Sequence, residues 1–162
     1  MKLAVSPYQE QVRRWPGSGP HLLAQHDAET IVVYQAYRPA TGHYAAAHGH
    51  FGGEYSFGRM NWIKPNFLWM MFRSGWGTKQ DQEVTLALRL RRSGFERLLK
   101  NAVASAFGAS IYGTQGEWKA TPEYSDVRLQ WDPDHDPAGT LLERRSIQLA
   151  PQGQTLRRLN DE

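Results

Sequence analysis

The sequence predicts one α+β domain, with a mixed or antiparallel sheet flanked by short helices. Three observations carry this reading. Four short runs have strand character: Ile31–Tyr37 is β-branched and aromatic, and Val84–Arg91, Val127–Trp131 and Ser146–Leu149 alternate. Between them lie segments opened by proline, closed by glycine or spaced apolar every three to four residues. The connections are short and varied, and a chain of 162 residues has the length of one domain with a real core.

The elements follow in order. Residues 1–20 read as a flexible N-terminal arm, because Trp15-Pro16-Gly17-Ser18-Gly19-Pro20 is turn-rich and aperiodic, and residues 21–162 read as the folded domain. After the strand at 31–37, Pro39 suits the first turn of a helix through Tyr44-Ala45-Ala46-Ala47, which Gly49 ends. Arg59 to Lys64 reads as a short strand, and Pro65 opens a helix through Phe72 that Gly75 stops. Behind the strand at 84–91, Ser93-Gly94-Phe95-Glu96 matches a capping box. Phe95, Leu98, Leu99, Ala102 and Ala106 then form one apolar helical face. Two strands and a short helix after Pro151 complete the chain.

Composition narrows the function. There is no cysteine, which excludes disulfides, thiolate metal sites and Cys nucleophiles. The formal charge is +3 and the pI about 9.3, a mild excess compatible with a phosphate-bearing partner. The opening apolar run is too short for a signal peptide, and no run reaches the roughly 20 residues of a membrane span. A cytoplasmic protein without a membrane partner is expected. No dinucleotide-binding glycine fingerprint, phosphate-binding P-loop or serine nucleophile elbow is present.

The segment from Arg59 to Lys79 is the most informative. It holds three of the six Trp, three of the four Met and four spaced cations. A core segment does not carry Arg59, Lys64, Arg73 and Lys79, and a solvated one does not carry Trp62, Phe67, Trp69 and Phe72. The mixture suits the wall of a binding site. On a helix from Pro65, Trp69 and Arg73 share a face, and Arg73 can bind phosphate bidentately. Trp62, Trp69 and Trp76 offer stacking surfaces. Leu68 and Met71 are better read as core.

Three other constellations contribute. In Tyr34-Gln35-Ala36-Tyr37, alternation sets Gln35 and Tyr37 on one face and Tyr34 on the other, and a buried Gln35 needs a partner, either ligand or backbone. Asp132, Asp134, Asp136 and Glu143 fall at calcium-loop positions, but Pro137 stands where that loop needs glycine. A plain acidic turn is the better account, with Asp132 orienting a central cation and Gln130 beside it. In Arg144-Arg145-Ser146-Ile147-Gln148, Gln148 and Arg145, the latter at the strand entrance, are the candidates for a polar pocket. His43, His48 and His50 lack a carboxylate at matching helical spacing, so no metal site is assigned.

Four words of the sequence resemble a known family, the bacterial and fungal proteins grouped as domain of unknown function 4291. They are Thr30-Ile31-Val32-Val33-Tyr34-Gln35-Ala36-Tyr37, the long Arg59–Trp76 segment, Val127-Arg128-Leu129-Gln130-Trp131-Asp132-Pro133, and Arg145-Ser146-Ile147-Gln148. The resemblance covers roughly residues 21–150 and transfers no reaction. It implies an Arg before the first strand, where Leu23 stands, and an Ile-Gly-Leu run where Leu149-Ala150-Pro151 stands. A strand with a Tyr-containing end, a short helix and a cation-bearing segment is also similar to the opening of ADP-ribosyltransferase-like folds, an analogy of fold alone. Within that group the RNA 2′-phosphotransferases rely on Arg and His more than on a catalytic Glu, and this chain too is rich in Arg.

The expectation is an enzyme acting on a nucleotide or phosphorylated substrate, with NAD or an RNA end as candidates. Tyr34, Gln35, Arg73, Asp132 and Gln148 would be catalytic, with Asp132 as general base or orienter. Arg59, Trp62, Lys64, Trp69, Trp76, Lys79, Gln130 and Arg145 would bind the substrate and its phosphates. One alternative is a non-catalytic module for RNA or single strands. Another is a small scaffold with its Trp residues in the core.

Overall fold

The computed structural model describes residues 2–107, 113–121 and 125–161. Its elements are α1 (Tyr8–Val12), β1 (Gly19–His21), β2 (Thr30–Tyr37), α2 (Pro39–His48), α3 (Phe67–Arg73), β3 (Val84–Arg91), α4 (Arg92–Asn101), β4 (Val103–Ala104), α5 (Gln115–Ala120), β5 (Val127–His135), β6 (Leu141–Pro151) and α6 (Gly153–Asp161). The class is α+β. A four-stranded mixed sheet has the order β1-β6-β5-β4, and β2 pairs antiparallel with β3 in a second sheet.

One short segment joins the two sheets. Ile63 exchanges both backbone hydrogen bonds with Leu149 of β6, at 2.8 and 3.1 Å. The next residue, Lys64, exchanges both with Tyr34 of β2, at 2.8 and 3.0 Å. The short strand expected over Arg59 to Lys64 thus reduces to two bridges, one to each sheet. Pro65 follows, and Asn66 caps α3 by accepting from the Trp69 amide at 3.1 Å.

The main core fills the space between the sheets. Ile31 and Val33 of β2, Ile63, Phe95 and Leu98 of α4, Val127 of β5, and Ile147 and Leu149 of β6 are all buried in it. Each such side chain contributes on the order of 1.5–3 kcal/mol of apolar burial. A smaller cluster of Val32, Tyr34 and Met70 lies on the other face of β2, with Leu3 packed against it. Gly42 lets α2 approach β3, since a Cβ there would stand 2.5 Å from Val84 Cγ1.

Several boundaries differ from expectation, for local reasons. β5 does not end at Trp131, and β6 begins five residues before Ser146, because residues 132–135 continue β5 and the turn of the hairpin starts only at Asp136. Asp136 Oδ1 accepts from the amides of Ala138 and Thr140, at 2.9 and 2.8 Å, and Gly139 turns the chain at φ 84. The Ser93 capping box does not form, because β3 runs directly into α4 and Arg91 takes the cap position. The complete capping box is Thr114 with Glu117, at the start of α5.

The segment expected as an arm contacts the rest of the domain at Leu3, Ala4, Trp15, Pro16 and β1. It contains α1, and β1 starts at Gly19, ahead of the expected boundary, pairing parallel with Arg144–Ser146. The Pro16 carbonyl accepts from Arg144 Nη1 at 2.9 Å, and the Arg144 guanidinium lies 5.3 Å from the centre of the Trp15 ring.

Candidate functional site

A polar cleft of about 870 Å³ opens where the two sheets meet. Its walls come from the end of β2, the Arg59–Lys64 segment, α3, β5 and β6. The mixture of cations and aromatics in the Arg59–Arg73 stretch is thereby accounted for. Ile63 sits in the core and Lys64 and Trp69 are buried, while Arg59 and Arg73 are exposed at the cleft.

Asp132 is held by two glutamines. The register of β5 and β6 sets Gln130 directly opposite Gln148. Gln130 Nε2 donates to Asp132 Oδ1 at 2.8 Å, and Gln148 Nε2 donates to Oδ2. Both carboxylate oxygens therefore have a fixed orientation at the cleft.

Lys64 is the unusual residue. It is only 6% exposed, yet it forms no ion pair among the described residues. Burial pushes its pKa down to about 8, nearby Arg73 and Lys79 push the same way, and Asp132 opposes them. Its backbone cannot shift freely, because Tyr34 holds both its amide and its carbonyl.

Gln35 is buried on the same side. Its side-chain amide faces the Trp62 carbonyl across a long 3.4 Å contact, a weak tie that leaves it able to serve a ligand. Trp69 stacks near Phe72 and His135, with centroids 5.7 and 5.3 Å away, and its indole N–H is buried without an acceptor among the described residues. Trp62 is half-buried at the cleft and offers a ring to a ligand.

Of the expected site residues, the structure brings Gln35, Arg59, Trp62, Lys64, Trp69, Arg73, Gln130, Asp132 and Gln148 to the cleft. Four do not line it. Tyr34 points to the opposite face of β2, against Phe67 at 5.2 Å between centroids, as strand alternation requires. Trp76 lies outside, 53% exposed and held at φ 55. Lys79 is exposed beyond the cleft and acts on Lys64 only through its charge. Arg145 is on the solvent side of β6, donating to the Trp131 carbonyl at 2.7 Å, whereas the neighbouring Arg144 is buried.

The cleft also contains residues outside the expected site set. Arg38 and Glu54 form an exposed 2.8 Å ion pair, and Tyr37 meets Tyr55 at 5.8 Å between centroids. Burial drives the Tyr37 phenol far above its ordinary range, so it stays protonated. Asn61 and Gln82 add neutral polar groups. Position on β2 gave a signal for Arg38, which directly follows the strand; Glu54 and Gln82 sit in loops with no period to betray them.

Beside the cleft lies a buried polar knot. Arg144 Nε donates to Asp134 Oδ2 at 2.7 Å, with both side chains almost fully buried. Asn66 Nδ2 donates to Asp134 Oδ1 at 3.1 Å and to Ser146 Oγ at 3.0 Å. Lys64 and Asn66 are two residues apart, so one stretch of backbone supplies both the cleft lysine and the anchor to the knot.

A family model described as a domain of unknown function, DUF4291, matches residues 21–162. The chain belongs to the DUF4291 family. The match spans nearly the whole chain and every residue that lines the cleft. The DUF4291 match leaves out residues 1–20, although Trp15 and Pro16 contact Arg144 within it. Leu23, where the family resemblance implies an Arg, is partly buried and does not line the cleft. A search of curated proteins found no match.

The chemistry available to this DUF4291 cleft follows from its charges. Its walls carry four cations, Arg38, Arg59, Lys64 and Arg73, against three carboxylates, Glu54, Asp81 and Asp132. Arg38 is taken up by Glu54, while Arg59, Lys64 and Arg73 form no ion pair among the described residues. Three cations not committed to protein partners, beside one oriented carboxylate, can bind an anion and move a proton next to it.

Proposed function

We propose that the protein is an enzyme that binds a nucleotide or another phosphorylated substrate in this cleft and acts on it. The observation that carries the reading is that Arg59, Lys64 and Arg73, none in an ion pair among the described residues, line the same cleft as Asp132 with its two glutamine donors. Arg59 and Arg73 bind the phosphate, Trp62 packs against a ring, and Gln35 orients the substrate. Asp132 serves as general base or orienter.

The finer form of this reading is group transfer, on NAD or an RNA end, in the manner of ADP-ribosyltransferases and 2′-phosphotransferases. The Arg-rich lining supports it, as does the engagement of Glu54 with Arg38, which leaves Asp132 as the carboxylate with a fixed orientation. A binding module for RNA or single strands is the second reading. It is favoured by Trp76 and Phe67, exposed at 53% and 44%, near the exposed Lys79.

Turnover separates the two. Wild-type protein is incubated with NAD, nucleoside phosphates and RNA carrying a 2′-phosphate, and products are followed by chromatography. The enzyme reading expects one of these to be consumed, with Asp132→Asn and Arg73→Ala folded but at least ten-fold slower. No turnover, with RNA affinity that falls steeply as salt rises, would favour the binding module instead.

A further inference from the structure

We propose that Lys64 is a covalent nucleophile, its Nζ condensing with the carbonyl carbon of a phosphorylated aldehyde or ketone to form an imine. The proposal rests on the phosphorylated-substrate reading and names the reacting group of that substrate.

Lys64 stands apart from the other four lysines of the chain. Lys2, Lys79, Lys100 and Lys119 are exposed, whereas Lys64 is buried at the wall of the cleft. A buried lysine that serves only stability is paired with a carboxylate, and Lys64 is not among the described residues. Its backbone is fixed by Tyr34, and its neighbour Ile63 is fixed by Leu149, so the amine is presented from a rigid base. Burial and the charges of Arg73 on α3 and Lys79 beyond it favour the neutral amine, against Asp132 on β5. The neutral amine is the form that attacks carbonyl carbon.

The step balances within the cleft. The Nζ lone pair forms the C–N bond while the carbonyl π pair moves to oxygen. The nitrogen gives up a proton and the oxygen gains one, yielding a carbinolamine. Loss of a second N–H proton and of the hydroxyl, together as water, leaves the C=N bond. Asp132, held by Gln130 and Gln148, takes and returns the proton. Arg59 and Arg73 hold the phosphate that fixes the carbonyl near Nζ.

The test uses pyridoxal 5′-phosphate, a phosphorylated aldehyde on an aromatic ring, with the intact protein. Imine absorbance is read, the adduct is reduced with borohydride, and modified peptides are identified by mass. The expected result is one adduct per chain, on Lys64, suppressed by inorganic phosphate. Its formation rate should rise through pH of about 8, not near the ordinary lysine value. Lys64→Met should lose the adduct without gaining one elsewhere. Labelling spread over the exposed lysines with Lys64 unmodified overturns the proposal, and because that is read on the wild type it stands even if the variant misfolds. Melting with inorganic phosphate is measured in parallel. Stabilisation by phosphate without a Lys64 adduct removes the imine and spares the phosphorylated-substrate reading; neither effect removes both.

Discussion

Asn66 Nδ2 lies 3.1 Å from Asp134 Oδ1, while the Oδ1 of the same asparagine caps α3 at the Trp69 amide. One side chain thus ties the helix that carries Trp69 and Arg73 to the strand that carries Asp132. It also sits two residues after Lys64, so it sets where that lysine meets the sheet. Asn66→Ala removes a cap worth about 1 kcal/mol and takes one donor each from Ser146 Oγ and from Asp134, which keeps Arg144 and the His135 amide, for a total cost of about 2–3 kcal/mol. Asn66→Asp keeps the cap oxygen but sets a second carboxylate against Asp134, and should destabilise at least as much. Urea denaturation of both variants checks this.

The Arg144–Asp134 pair is buried, with side-chain exposures of 3% and 1%. Removing Arg144 leaves Asp134 with neutral donors alone, from Asn66 and the His135 amide, so Arg144→Met is expected to cost about 3–5 kcal/mol. Trp15→Ala removes the ring over the guanidinium and its edge contact with Tyr8, and should cost about 0.5–2 kcal/mol. Truncation of residues 2–16 should fall between these two, because it also removes the Pro16 acceptor. Equilibrium unfolding of the three forms gives the order.

Lys64 weakens the fold that contains it. Its pKa falls from 10.5 to about 8 on folding, so the folded state disfavours the proton. The cost is full below pH 8 and is relieved as pH climbs from about 8 towards 10.5. At about 1.36 kcal/mol per unit the full cost is on the order of 3 kcal/mol. Lys64→Met should therefore melt higher than wild type at pH 7, by several degrees, with the gap closing as pH rises towards the ordinary lysine value. A variant less stable than wild type at every pH contradicts this account of the lysine.

Gly42 marks a contact with no slack. A methyl group there meets both Val84 Cγ1 and Val84 Cβ, at 2.5 and 2.6 Å. Gly42→Ala should cost about 1–3 kcal/mol through overpacking. A second change, Val84→Gly, removes both atoms, so Gly42→Ala should cost less in that background. Their double-mutant cycle measures it.

Much of the site was legible because strands alternate. Gln35 was separable from Tyr34, and Gln148 from Ile147, by parity alone, and the structure places them accordingly. The mixed character of the Arg59–Arg73 stretch marked it as a wall between core and solvent. What parity could not supply was depth. Arg144 and Arg145 are adjacent and alike in chemistry, and their burial is decided by which face of β6 receives Asn66 and the Trp15 segment. Those contacts reach far along the sequence, Asn66 to Ser146 at a separation of 80 and Arg144 to Pro16 at 128. Helix ends were misplaced for a local reason: a strand running straight into α4 left Ser93 inside the helix, with no cap position to fill. The unpaired state of Lys64 is also invisible in sequence, because it depends on Asp132 being engaged by Gln130 and Gln148 from two strands.

The central claim is that the cleft holds a phosphorylated ligand through Arg59 and Arg73. Thermal melting of wild type and Arg73→Ala against inorganic phosphate, NAD, nucleotides and short RNAs tests it most directly. The account predicts that at least one of these raises the wild-type melting temperature in a concentration-dependent way, and that Arg73→Ala melts cooperatively without that response. Cooperative melting of both proteins, with no shift from any phosphorylated ligand, would contradict it and leave the cleft as a feature of the scaffold alone.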